Sequence, residues 1–150
     1  FYKSITLTGS WIEAFLDNRN RHSTSALFNA YAYNARYKNQ LGWGHGANLS
    51  EIELQEKNLN AALLKTTETR KSESYTDTHG WYFTPESFSF IISELNTLDL
   101  LNFRIKKVSK TLGFEFFVIL EKSEIAEKAD FKTREFLLKL AVNSSFRRPL

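Results

Sequence analysis

Three histidines, His22, His45 and His79, are the side chains best suited to proton chemistry near neutral pH. They lie far apart, none stands four residues from another, and no carboxylate accompanies them at ligand spacing, which argues against a metal site. His79 comes just before the best-marked helix start in the chain and is the first candidate for a general base or a substrate contact. A structural role, with its ring bonded to backbone near Thr84, competes with that reading. His22 ends the polar turn Asn18-Arg19-Asn20-Arg21-His22, where it could hold an anionic group together with Arg19 and Arg21, or simply belong to an exposed turn. His45 shares the stretch Leu41-Gly42-Trp43-Gly44-His45-Gly46 with Trp43, whose ring could close over a sugar by stacking. The alternative for that stretch is a plain flexible loop. It resembles a phosphate loop only superficially, because such a loop needs a strand before its glycines and a helix start just after them, and the sequence offers no convincing strand there. In Trp81-Tyr82-Phe83, Trp81 and Phe83 share one side of an extended segment. Such rings usually belong to a core, and Trp81 is the one expected to touch a ligand. No serine occupies a G-x-S-x-G elbow, and cysteine is absent, so neither hydrolase chemistry nor a thiol nucleophile has support.

The elements that must position these side chains belong to a chain of 150 residues, 42% apolar and 25% charged, with two prolines and six glycines. That composition predicts a single globular domain. The lack of cysteine excludes disulfides and thiolate metal sites while leaving the redox compartment open. No stretch approaches the roughly 18 consecutive apolar residues of a membrane span, and Phe1-Tyr2-Lys3-Ser4 does not open a signal peptide. We therefore expect a cytoplasmic protein with no membrane insertion. Methionine is absent and the first residue is Phe1, so we expect an excerpt of a longer chain. Residues 101–150 hold eleven Lys/Arg against six Asp/Glu, and residues 51–100 hold four against nine. The acids interspersed in the basic third favour a solvated mixed face over a nucleic-acid stripe.

Residues 1–78 read as mostly helical. Ser10 can cap a turn running through Trp11, Ile12, Phe15 and Leu16, and Ser23 to Tyr37 carries Leu27, Tyr31 and Ala35 at helical spacing. Ser50 and Glu53 fit a capping box, predicting a third helix to about Leu64, and the Thr/Ser/Lys/Glu-rich stretch Lys65 to Thr78 reads as a mobile connection. Thr84-Pro85-Glu86 marks the next helix start, with Phe88, Ile91, Ile92, Leu95 and Leu98 on its buried face and an end near Leu100. Phe103 to Val108 alternates as a strand with one wet side. Phe114-Glu115-Phe116-Phe117-Val118-Ile119-Leu120 reads as a strand apolar on both faces. The two should pair as an antiparallel hairpin whose apolar side expects a further strand from a sheet outside these residues. Glu124 to Val142 reads as an added helix, followed by a tail through Arg147-Arg148-Pro149-Leu150.

The lead-in His79-Gly80-Trp81-Tyr82-Phe83-Thr84-Pro85-Glu86-Ser87-Phe88, the edge strand and the closing Gly113-Phe114-Glu115-Phe116-Phe117-Val118 resemble the C-terminal part of bacterial class I S-adenosylmethionine-dependent methyltransferases, a Rossmann-like group often associated with cell-surface glycan synthesis. The turn Arg19-Asn20-Arg21-His22 followed by Phe28 resembles a segment of the same group, so the resemblance covers about residues 1–122. It implies an α/β fold in which residues 1–78 form a mostly helical acceptor-site insertion. Residues 79–122 would supply the last helix and antiparallel β-hairpin of the methyltransferase sheet, and residues 123–150 a helical extension. It further implies S-adenosylmethionine as cofactor and a small-molecule or glycan-related acceptor, with His79 as catalytic base or contact and Arg19, Arg21, His22, Trp43 and Trp81 on the substrate side. The glycine-rich turn and acidic strand end that hold the cofactor in that family are not in this sequence. The missing N-terminal methyltransferase half is accordingly the expected partner, and the 150 residues alone are not expected to be active. The runner-up is a non-catalytic interaction module docking through its exposed strand edge.

Overall fold

The computed structural model describes residues 5–41, 48–112 and 115–146. They form an α/β arrangement of five helices and two small antiparallel sheets, divided between two compact units, Phe15–Tyr82 and Ile5–Ala14 with 83–146. Among the described residues no helix is long and apolar enough to cross a membrane.

In the first unit, helix α2 (Thr24–Ala32) packs on α3 (Leu59–Lys71). Ser23 caps α2 by accepting from the Ala26 N–H at 3.1 Å, and Leu27, Ala32, Ala62 and Thr66 are buried. The helix predicted over Ser23 to Tyr37 stops at Ala32, and Ala35–Tyr37 is instead strand β1. Its cause is local. Lys38 and Asn39 both take positive φ, 47° and 65°, and make the two-residue turn into β2 (Gln40–Leu41). Strand β3 (Ile52–Leu54) pairs on the other side of β1, giving the order β2-β1-β3.

The Ser50–Glu53 capping box does not form. Asn48 Oδ1 accepts from both the backbone and the hydroxyl of Ser50, at 3.1 and 2.9 Å, and a short 3-10 turn at Leu49–Glu51 runs straight into β3. Helix α3 starts nine residues after Ser50, capped by Asn58, and continues to Lys71, so half of the stretch expected to be a loose connection is helical. The Leu41 to Gly46 loop, with Trp43 and His45, lies outside the described residues apart from Leu41.

The second unit is built on α4 (Pro85–Thr97). Thr84 and Ser87 exchange side-chain-to-backbone bonds of 3.0 and 2.8 Å, Pro85 fills the first turn, and Glu86 stands at the positive helix end. At the other end Asp99 takes φ 58°, and the N–H groups of Leu100 and Asp99 bond to the carbonyls of Leu95 and Asn96, which stops the helix in a Schellman turn. Phe90, Ile91 and Leu95 form the core with Ala141 of α5 (Phe131–Phe146), and Ile5, Trp11, Phe83, Leu101, Leu137 and Leu138 pack around it. Helix α1 (Thr8–Leu16) is tied to α4 where the Thr8 hydroxyl donates to Glu94, whose second oxygen takes the Arg134 guanidinium. Helix α5 begins seven residues later than Glu124, because the Asp130 carboxylate caps it by accepting from the Thr133 N–H at 2.7 Å. That bond to the Thr133 N–H holds the Asp130 carboxyl below the usual carboxylate range.

Strand β4 (Phe103–Val108) pairs antiparallel with β5 (Val118–Lys122), Arg104 facing Glu121. A bulge between Ile105 and Lys107 leaves Lys106 and Lys107 both exposed while Phe103, Ile105 and Val108 face inward. The wet and dry sides of β4 are as the alternation predicts. Strand β5 differs from expectation in two ways. It starts at Val118, because the Phe117 N–H and C=O bond to the Ser109 hydroxyl and N–H at 2.8 and 2.9 Å and close the connection first. It is also not buried on both faces: Phe117 is 66% exposed and Ile119 53%, since β4 is its only partner strand among the described residues.

Candidate functional site

The fold of the first unit brings the turn before α2 against the chain that leaves α3. Carbonyls at a helix C-terminus lack partners and carry partial negative charge, so a cation is favoured there. Arg21 supplies it, its two terminal nitrogens donating to the carbonyls of Ser72 and Glu73 at 2.7 and 3.0 Å. The next residue, His22, thereby meets Tyr75. Its Nε2 lies 3.0 Å from the Tyr75 hydroxyl, with the ring centroids 5.5 Å apart.

Gly80 closes the other side of the imidazole. A Cβ at that position would stand 3.0 Å from His22 Nδ1, tight enough that the ring would have to shift by a few tenths of an ångström. His79 is therefore adjacent in sequence to a residue that borders His22. Tyr82 pins this segment by donating its hydroxyl to the His79 carbonyl at 2.9 Å, and its ring stands 6.3 Å from the His79 ring. Partial burial pushes the Tyr82 phenol up to about 12, so it keeps its proton, and with it this bond, throughout the ordinary pH range.

Of the residues singled out from sequence, Arg21 and His22 meet at this corner, His79 precedes the Gly80 that borders the His22 ring, and Trp81, 38% exposed, follows it. Arg19 bonds to Asp17 at 2.9 Å in the turn itself. Trp43 lies outside the described residues. Arg21 spends its guanidinium on helix carbonyls, which makes it an anchor of the corner. Sequence reasoning misses Tyr75 because it lies in the polar stretch that reads as a connection. Its one signal is an aromatic ring alone among Ser, Glu, Thr and Asp.

Chemically the corner can pass a proton between an imidazole and a phenol. Among the described residues no group of His, Asp and Glu side chains is arranged to hold a metal ion. No protein-family model, no curated protein and no solved structure matches the chain.

Proposed function

We propose that this chain supplies the acceptor side and the closing hairpin of a Rossmann-like S-adenosylmethionine-dependent methyltransferase acting on a small-molecule or glycan-related acceptor. The observation that carries the reading is β5. It opens on the apolar run Val118-Ile119-Leu120, following a well-capped helix and an edge strand in the order of the resembled family, with β4 its only partner strand among the described residues and Ile119 and the preceding Phe117 exposed. Such an edge is expected where further strands of one sheet continue. The described residues do not fit the cofactor themselves. The three strands of the first unit are only two or three residues long, too short for the parallel sheet that such a cofactor site is built on. The cofactor-binding part is therefore assigned to residues outside these 150, and the corner at His22 to the acceptor.

Calorimetric titration with S-adenosylhomocysteine tests this. The product of the full reading frame should bind it stoichiometrically, and the 150-residue chain should not. Submicromolar binding to the 150 residues alone, or no binding to the full product, would contradict the reading. The same open edge also favours a second reading, a non-catalytic module that adds its strand to a partner's sheet. A strand followed by a glycine-rich turn encoded upstream of Phe1 supports the enzyme; an unrelated upstream sequence supports the module.

A further inference from the structure

We infer that Tyr75 and His22 form a proton-accepting pair for a hydroxyl-bearing ligand, with Tyr75 as the group that touches the ligand and His22 acting through it. This rests on the acceptor-side reading and deepens it. Tyr75 is 66% exposed, so its hydroxyl can be reached from solvent, while the half-buried His22 lies behind it at 3.0 Å from that oxygen. A phenol is a poor base by itself at neutral pH, but one that can hand its own proton to an imidazole accepts another without building up charge on its oxygen.

The proton count closes. The ligand O–H bond breaks and its proton goes to the Tyr75 oxygen, the Tyr75 O–H bond breaks and its proton goes to His22 Nε2, and the electron pair stays on the ligand oxygen as a developing alkoxide. Proton loss from the imidazolium to water resets the pair.

The surrounding residues fit a placed pair rather than a chance contact. Arg21 fixes the backbone two and three residues before Tyr75 through the Ser72 and Glu73 carbonyls, and Gly80 borders the ring from the opposite side. Of the charged and titratable groups near the pair, Arg21 is engaged with those carbonyls, Glu73 and Asp77 each stand two residues from Tyr75, and His79 adjoins Gly80. In this assignment His79 is a contact to the ligand and not the base.

Two measurements test the pair. Nitrogen-15 NMR of the 150-residue chain should show His22 as the tautomer protonated on Nδ1, with Nε2 accepting, and Tyr75→Phe should relax it toward an ordinary tautomer mixture. A His22 protonated on Nε2 would overturn the assignment. In the full reading-frame product, Tyr75→Phe and His22→Gln should each lower kcat for methyl transfer about a hundredfold and flatten the acid limb of its pH profile, whereas His79→Ala should mainly raise KM. Rates within threefold of wild type for the first two variants would overturn the pair while leaving the methyltransferase reading intact. A full product with no methyl transfer would overturn that reading and, with it, the pair's role in proton removal.

Discussion

Ile91→Ala should lower the free energy of unfolding by about 2 to 5 kcal/mol, the cost of emptying a fully enclosed isoleucine site. Ile91 is 0% exposed at the middle of α4, and its neighbours in the core, Phe90, Leu95 and Ala141, belong to two helices held by caps at both ends of α4 and at the start of α5. Such walls cannot collapse far into the space left, so the cavity term adds to the lost burial. Urea denaturation followed by circular dichroism measures it, with Ile125→Ala as reference. Ile125 is 79% exposed, and its truncation should change stability by no more than about 0.5 kcal/mol. A loss under about 1 kcal/mol for Ile91→Ala would mean that α4 and α5 do not enclose this side chain in a rigid core.

Asn96→Ala should cost nearly as much, about 2 to 4 kcal/mol, for a different reason. The Asn96 side chain is buried at 3% exposure and behaves as a substitute strand partner, its amide nitrogen donating to the Phe103 carbonyl at 2.7 Å and its oxygen accepting from the Phe103 N–H at 3.2 Å. The bond from the Ser123 N–H to the Asn102 carbonyl sets the ladder phase, which turns the polar groups of Phe103 away from β5. Alanine therefore strands two backbone groups of Phe103 without their partners. Asn96→Asp, which keeps the acceptor and replaces the donor by a carboxylate facing a carbonyl, should recover none of that loss. Equal stability of Asn96→Ala and wild type in the same denaturation would remove Asn96 as the joint between α4 and β4.

The second unit is the more legible in sequence. Thr84-Pro85-Glu86 is a short-range signal whose parts act within one turn, and Phe103 to Val108 alternates over its whole length, so both elements appear where the residues put them. The first unit is harder to read because its elements depend on pairing across sequence. The Ala35–Tyr37 segment has helical spacing, yet the left-handed Lys38 and Asn39 turn it into a hairpin, and Ile52–Leu54 leaves its helical pattern to pair with β1. For the site, the histidines and Arg21 can be marked as chemistry-bearing, but their meeting cannot. The Arg21 contact to the end of α3 spans about fifty positions, and Tyr75 carries no pattern of its own.

A sheet that continues beyond β5 makes a direct demand on hydrogen exchange. Phe117 and Ser123 both bond toward the β4 side, so alternation turns the amides of Val118, Leu120 and Lys122 outward, where no strand among the described residues pairs with them. In the product of the full reading frame these three amides should exchange about a hundredfold or more slowly than in the 150-residue chain, as members of an inner strand. Equal and rapid exchange in both proteins would show β5 to be a true edge and contradict its place within a larger sheet.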